Sequence, residues 1–121
     1  MNKKILVLDD DEDILDILSF ILKDSGYEIQ TLTNGESAFD AIRAFNPDLV
    51  LMDVMLGHMD GRVICSRIKS TDDLLHLPVI LISGTHDLSR SLHQQGAPND
   101  FVAKPFDIDF LLEKIRSQLD C

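Results

Sequence analysis

Basic residues are scarce in this sequence, and their scarcity excludes whole classes of partner. The 121 residues include 11 Lys and Arg against 21 Asp and Glu, so the formal net charge is -10. A nucleic-acid-binding domain needs a basic face to displace counterions from phosphates, and an anionic membrane surface repels an acidic chain. We therefore expect no direct nucleic-acid partner and no membrane partner.

Cysteines and long apolar runs are also few. Cys65 and Cys121 lie far apart without a Cys-x-x-Cys motif, a usage typical of a reducing compartment rather than of a disulfide scaffold. Only four apolar residues in a row precede Asp9, too few for a signal-peptide core or a membrane span. We expect a cytoplasmic protein. At 45% hydrophobic residues the chain is not a disordered acidic tail, and its length fits one domain over residues 1–121.

Short apolar runs alternate with stretches of helical period along the chain. The runs predict strands at 5–8, 28–32, 49–52, 79–82 and 101–103. The predicted helices lie at about 11–25, 38–45, 61–68, 88–95 and 108–119. Strands that alternate with helices pair in parallel through right-handed crossovers. The pattern therefore predicts an α/β fold, a doubly wound five-stranded parallel sheet with helices on both faces.

Polar side chains follow four of the five predicted strands. Asp9 and Asp10 follow the first strand, Asp53 the third, Ser83 the fourth and Lys104 the fifth. Ligands of doubly wound sheets bind at the carboxyl ends of the strands, where these side chains should converge. Carboxylates held together repel one another unless a cation neutralises them, and Mg²⁺ prefers such hard oxygen ligands. The sequence therefore predicts a magnesium site.

The same groups suit phosphoryl transfer. An aspartate can act as the nucleophile and form an aspartyl phosphate. A magnesium ion beside Asp53, with Lys104 and Ser83 on the other phosphoryl oxygens, would stabilise the developing charge. The chemistry indicated is phosphoryl capture.

Four segments in order resemble the receiver domain of two-component response regulators. They are the first strand with its acidic pair (5–10), the segment around Asp53 (51–61), the strand ending at Ser83 (78–84), and Phe101-Val-Ala-Lys104-Pro-Phe (101–106). Four motifs in order over about a hundred residues are far more specific than any one alone. The resemblance implies the flavodoxin-like strand order 2-1-3-4-5 of chemotaxis-regulator folds.

The resemblance also implies a reaction and a metal set. Asp53 would be the phosphoacceptor, charged by a sensor histidine kinase or a histidine phosphotransferase. Mg²⁺ would bind Asp10, Asp53 and the backbone carbonyl of Met55 directly, and Asp9 mainly through water. The domain would catalyse its own phosphorylation and dephosphorylation without being an enzyme in the usual sense.

Further implied roles concern the switch. Lys104 would pair with the phosphoryl group, Ser83 would move to hydrogen-bond it, and Phe101 would turn inward. The face formed by the fourth helix, fifth strand and closing helix would then signal to an output domain or a downstream protein, as a monomer or as a phosphorylation-dependent dimer.

Gly57 departs from the pattern of the family, and Phe110 departs from the pattern of one class within it. Gly57 stands where the family usually has proline, so the loop after Asp53 is expected to be less rigid. Phe110 stands in the closing helix where DNA-binding regulators of the winged-helix class usually carry an acidic residue.

The first helix carries more apolar residues than one face requires. At 100° per residue, the stripe expected to face the core is Ile14, Ile17, Leu18, Ile21 and Leu22. Leu15 is expected beside this stripe, and Phe20 is expected to point away from it. We interpret Ile14 and Leu15, near the acidic end, as docking residues for the helices of the kinase or phosphotransferase.

Two other functions compete with this interpretation. A phosphorylation-independent pseudo-receiver usually lacks an acidic residue, the acceptor or the lysine, and all are present here. A haloacid-dehalogenase-like phosphatase also places an Asp-x-Asp pair after its first strand, but its cap domain and later acidic pair do not fit in 121 residues. The polar residues also have ordinary structural explanations. The acidic residues at 9–11, for example, are favourable at any helix start.

Overall fold

The computed structural model describes residues 2–84, 97–104 and 106–119. The predicted fourth helix, 88–95, lies outside the described residues, and so does Cys121. Within the described part, no helix is both long and apolar enough to cross a membrane.

Five parallel strands form the central sheet. They are β1 (Lys4–Leu8), β2 (Glu28–Leu32), β3 (Leu49–Asp53), β4 (Val79–Ser83) and β5 (Asp100–Ala103). Their order across the sheet is β2-β1-β3-β4-β5, so the predicted order 2-1-3-4-5 is confirmed. Strands β3 and β4 are buried along their whole length, as expected of central strands covered on both faces.

Helices cover both faces of the sheet. The described helices are α1 (Glu12–Asp24), α2 (Ala38–Phe45), α3 (Gly61–Lys69) and the closing helix (Ile108–Leu119). Residues of α2 and α3 share one apolar cluster with alternate strand residues such as Leu6 and Leu8. Residues of α1 and the closing helix share the opposite cluster with Ile5 and Val7. The period-2 alternation of strand side chains thus divides the core into two layers.

Local signals explain where α1 begins and ends. The Asp11 side chain accepts hydrogen bonds from the backbone N–H groups of Asp13 and Ile14, at 3.0 and 3.4 Å, and so caps the helix. Gly26 follows the last turn with a φ of +97°, a left-handed conformation that glycine adopts at low cost. The helix is therefore bounded by a carboxylate cap and a glycine stop.

The expected orientation of α1 is partly wrong. Leu15 is 4% exposed and packs in the core with Leu18 and Leu22, whereas Ile17 is 56% exposed. Phe20, at 75% exposed, points away from the core as expected. The helix is rotated from the predicted stripe because seven apolar residues between 14 and 22 offer more than one face that could pack on the sheet.

Two short strands that the sequence did not predict form a hairpin after β3. Met55–Leu56 pairs antiparallel with Met59–Asp60, and Gly57 and His58 make the two-residue turn. Gly57 has a φ of +65°, and the favoured turns of two-residue hairpins have a positive φ at their first position. The segment is therefore a paired turn, which we call the 55–60 hairpin, and the expectation that it is less rigid than with proline stays a prediction.

Candidate functional site

Three carboxylates converge at the carboxyl edge of the sheet. Asp9 and Asp10 directly follow β1, and Asp53 is the last residue of β3, the neighbouring strand. One oxygen from each lies within 4.8 Å of the others. Asp9 is 1% exposed and Asp53 6% exposed, whereas Asp10 is exposed. The parallel pairing of β1 with β3 thus gathers the predicted acidic residues in one place.

Lys104, the residue after β5, joins these carboxylates. Its ammonium Nζ lies 3.1 Å from Asp53 Oδ2 and 3.2 Å from Asp9 Oδ2. The backbone N–H of Lys104 donates to the Ser83 carbonyl at 2.8 Å, which continues the β4–β5 pairing to the level of the site. One cation therefore bridges the two buried carboxylates.

The electrostatics of the pocket reflect burial and close charges. Burial raises the pKa of Asp9, and the charge of Asp53 adds to that rise. The Asp11 backbone N–H, at 2.9 Å from Asp9 Oδ1, and the ammonium of Lys104 oppose it without cancelling it. Burial also acts to lower the pKa of Lys104, but hydrogen bonds and charge from Asp53 and Asp9 outweigh it, so that pKa is raised. Lys104 is therefore held as a cation.

Asp9, Asp10 and Asp11 have different roles although they are consecutive. Asp11 caps α1, as the ordinary helix-start explanation expects. Asp9 and Asp10 instead lie in the acidic cluster with Asp53. The helix-start explanation therefore holds for Asp11, and the functional role of Asp9 and Asp10 stays a prediction.

The 55–60 hairpin reaches the same cluster through its backbone. The N–H of Met55 donates to Asp53 Oδ1 at 3.3 Å, and the N–H of Gly57 donates to Asp10 Oδ2 at 3.2 Å. Sequence reasoning treated Gly57 as a departure from the family and missed its contact with Asp10. The glycine itself was the available signal, since a two-residue turn of this type favours glycine first.

The two predicted switch residues differ in their exposure to solvent. Ser83 ends β4 and is 1% exposed, opposite Ala103 of β5. Phe101, in β5, is partly buried and packs against the cluster of α2 and α3. Their movement on phosphorylation stays a prediction.

The docking pair does not share one surface. Ile14 is partly buried at the edge of the α1 cluster, but Leu15 is inside the core. The prediction that Leu15 offers a docking surface is therefore wrong, because a side chain that packs against the sheet cannot also contact a partner.

The donor set fits a small divalent cation. Asp9, Asp10 and Asp53 offer carboxylate oxygens, the hard ligands that Mg²⁺ prefers, and the exposure of Asp10 leaves room for water, which Mg²⁺ usually retains. The Met55 carbonyl as a fourth ligand stays a prediction.

Comparison with known proteins identifies the class to which this fold belongs. The response regulator receiver domain family matches residues 5–116, so the chain belongs to that family. Receiver domains are signalling phosphoacceptors that typically bind Mg²⁺ at an acidic pocket, and they interact with histidine kinases and output domains.

Solved structures of receiver domains closely resemble this chain. It is 30% identical to the signal receiver domain of a signal transduction histidine kinase from Syntrophus aciditrophicus, with a TM-score of 0.88 and coverage of 98% of this chain and 90% of that chain. It is 34% identical to the receiver domain of NtrX from Brucella abortus, with a TM-score of 0.84 and coverage of 96% and 98%. A CheY-like receiver domain protein from Methanospirillum hungatei JF-1 is 28% identical, with a TM-score of 0.89 and coverage of 99% and 95%.

Proposed function

We propose that this receiver domain accepts a phosphoryl group on Asp53 from a phosphohistidine of a sensor histidine kinase or a histidine phosphotransferase. The observation that carries the proposal is the contact of Lys104 Nζ with both Asp53 and Asp9, which are almost fully buried. A structural ion pair needs one carboxylate for one ammonium. Two carboxylates on one lysine, with a third beside them, leave an excess of negative charge that suits a cation and a transferred phosphoryl group.

The chemical step is an in-line displacement at phosphorus. A carboxylate oxygen of Asp53 forms the new P–O bond as the P–N bond of the phosphohistidine breaks. The electron pair of that bond stays on the imidazole nitrogen, which takes a proton from water. The ammonium of Lys104 balances negative charge on the phosphoryl oxygens, and the hydroxyl of Ser83 donates a hydrogen bond to one of them.

The acidic residues and the hairpin would hold magnesium during this step. Asp10, Asp53 and the Met55 carbonyl would bind it directly, and Asp9 mainly through water. A magnesium ion held there would supply positive charge that favours phosphoryl transfer. In self-catalysed dephosphorylation, water attacks phosphorus, the bond to Asp53 breaks, and inorganic phosphate leaves.

The signal would leave through the face that the family resemblance assigns to the fourth helix, the fifth strand and the closing helix. The predicted fourth helix lies outside the described residues. Ser83 and Phe101 would couple the phosphoryl group to that face. That face contacts an output domain, a downstream protein or a second phosphorylated copy. We place this function in the cytoplasm and assign it to one receiver unit over residues 1–121.

Ile14 is the docking residue that we retain for the phosphodonor partner. It lies three residues after Asp11, at the end of α1 nearest the acidic cluster, and is only partly buried. An Ile14→Ser variant should accept phosphate more slowly from a partner's phosphohistidine but at the normal rate from phosphoramidate. Equal losses with both donors would contradict a docking role.

Intact-protein mass spectrometry tests the proposed function. The wild type, treated with acetyl phosphate or phosphoramidate and Mg²⁺, should gain one phosphoryl group, and Asp53→Asn should gain none. Asp11→Asn is the matched control, because Asp11 lies two residues from Asp9 but caps α1 outside the cluster. A chain that acquires no adduct would be a phosphorylation-independent pseudo-receiver.

A further inference from the structure

We propose that Gly57 is a positioning residue for the magnesium site, acting through its backbone N–H on the carboxylate of Asp10. The proposal rests on the proposed function, since it concerns how the same site is prepared for its ion. It assigns a specific task to the position where this chain departs from the usual proline.

The contact joins two segments that are far apart in sequence. Gly57 N lies 3.2 Å from Asp10 Oδ2, within hydrogen-bond range, and 47 positions separate the two residues. Asp10 is exposed, so without this bond its side chain could adopt several rotamers in water. A carboxylate that accepts at Oδ2 can still offer Oδ1 to a cation. The bond therefore orients Asp10 without using up its ability to bind metal.

The same hairpin holds a second carboxylate of the cluster. Met55 N–H donates to Asp53 Oδ1 at 3.3 Å, two residues before Gly57. Lys104 holds Asp9 and Asp53 through their Oδ2 atoms. Backbone donors of the hairpin and the lysine together contact all three carboxylates. Groups that orient metal ligands in this way typically change metal affinity by about 10–100-fold when they are removed.

Proline cannot reproduce this arrangement for two independent reasons. It has no backbone N–H, and its ring fixes φ at about -65°, opposite in sign to the +65° of Gly57. Alanine keeps the N–H but is strained at positive φ, although its Cβ would meet no described atom within 4 Å. Comparing the two substitutions therefore separates the effect of losing the N–H donor from the effect of straining the backbone.

Isothermal titration calorimetry of Mg²⁺ binding to the whole chain tests the proposal. We expect Gly57→Pro to weaken binding about tenfold or more and Gly57→Ala to weaken it less. Gly26→Ala is the matched control, because it places alanine at a φ of +97° in the turn after α1, and it should bind Mg²⁺ as the wild type does. A Gly57→Pro variant that binds as tightly as the wild type would overturn the proposal, and so would an equal loss in Gly26→Ala. A wild type without Mg²⁺ affinity would instead count against the proposed function.

A second measurement keeps the proposal testable if Gly57→Pro does not fold. In metal-free protein, Asp10→Asn replaces the charged acceptor by a neutral amide, so the ¹H–¹⁵N resonance of Gly57 should shift, with that of Gly26 as the internal reference. Unchanged Gly57 and Gly26 resonances would overturn the contact, and so would equal shifts at both glycines.

Discussion

Gly61 is the position where one added methyl group should disturb the phosphoacceptor most directly. A Cβ on Gly61 would lie 2.3 Å from the carbonyl oxygen of Asp53 and 3.2 Å from its carbonyl carbon. The Gly61 N–H also donates to the Val54 carbonyl at 2.7 Å, so the start of α3 is tied to the end of β3. Because the obstacle is backbone rather than a mobile side chain, either the helix or the strand end must move.

The size of the effect follows from that distance. An ordinary contact needs at least 3.4 Å, so the two segments must separate by about 1 Å. Overpacking of this kind lowers the unfolding free energy by about 1–3 kcal/mol, and the better helix propensity of alanine offsets up to about 1 kcal/mol of that loss. We expect Gly61→Ala to lose about 1–2 kcal/mol of unfolding free energy. A displacement of about 1 Å at a reacting group can also slow its chemistry about a hundredfold.

Gly35→Ala is the control that isolates the backbone contact. Its Cβ would lie 2.5 Å from Ile64 Cδ1 and 3.2 Å from Met59 Sδ, which are side-chain ends rather than backbone. Because Ile64 is buried in the core, urea unfolding should show a stability loss for Gly35→Ala as well. The rate of Asp53 phosphorylation by phosphoramidate should stay normal in Gly35→Ala. The reasoning fails if Gly61→Ala retains wild-type stability and rate, or if Gly35→Ala is slowed as much.

Two further predictions concern ionisable groups away from the pocket. Burial raises the pKa of the Cys65 thiol from 9.0 to about 11. The protonated thiol therefore contributes fully to the unfolding free energy below pH 9.0, and this contribution is lost as the pH rises towards 11. Between about pH 8 and pH 10, the unfolding free energy measured in urea should fall by about 1 kcal/mol more in the wild type than in Cys65→Ala. Equal falls in the two proteins would contradict this. Asp60 caps α3, and hydrogen bonds from Arg62 lower its pKa below 3.8, so its contribution is present above pH 3.8 and is lost as the pH falls through the lowered pKa. Asp60→Ala should cost about 1 kcal/mol at neutral pH, and that difference from the wild type should shrink in acid; a constant difference would show that the carboxylate charge is irrelevant.

Strand order and the convergence of polar residues could be predicted because they depend on simple geometry. Short apolar runs such as 49–52 are typical of central strands, and the residues that follow parallel strands meet at one edge. Asp9, Asp53 and Lys104 accordingly lie together, as their places after the strands required.

The orientation of α1 and the 55–60 hairpin could not be predicted for physical reasons. The choice between Leu15 and Ile17 for the core depends on how the helix axis lies on the sheet, which periodicity alone does not give. Strands of two residues are too short for any alternation to be recognised. The contact between Gly57 and Asp10 joins residues 47 apart and depends on the pairing of β1 with β3 and on the hairpin.

The mass of the intact chain after treatment with acetyl phosphate and Mg²⁺ tests the central claim most directly. The account predicts one added phosphoryl group on the wild type, none on Asp53→Asn, and one on Asp11→Asn. An unmodified wild type, or an adduct that persists in Asp53→Asn, would contradict the assignment of Asp53 as the phosphoacceptor.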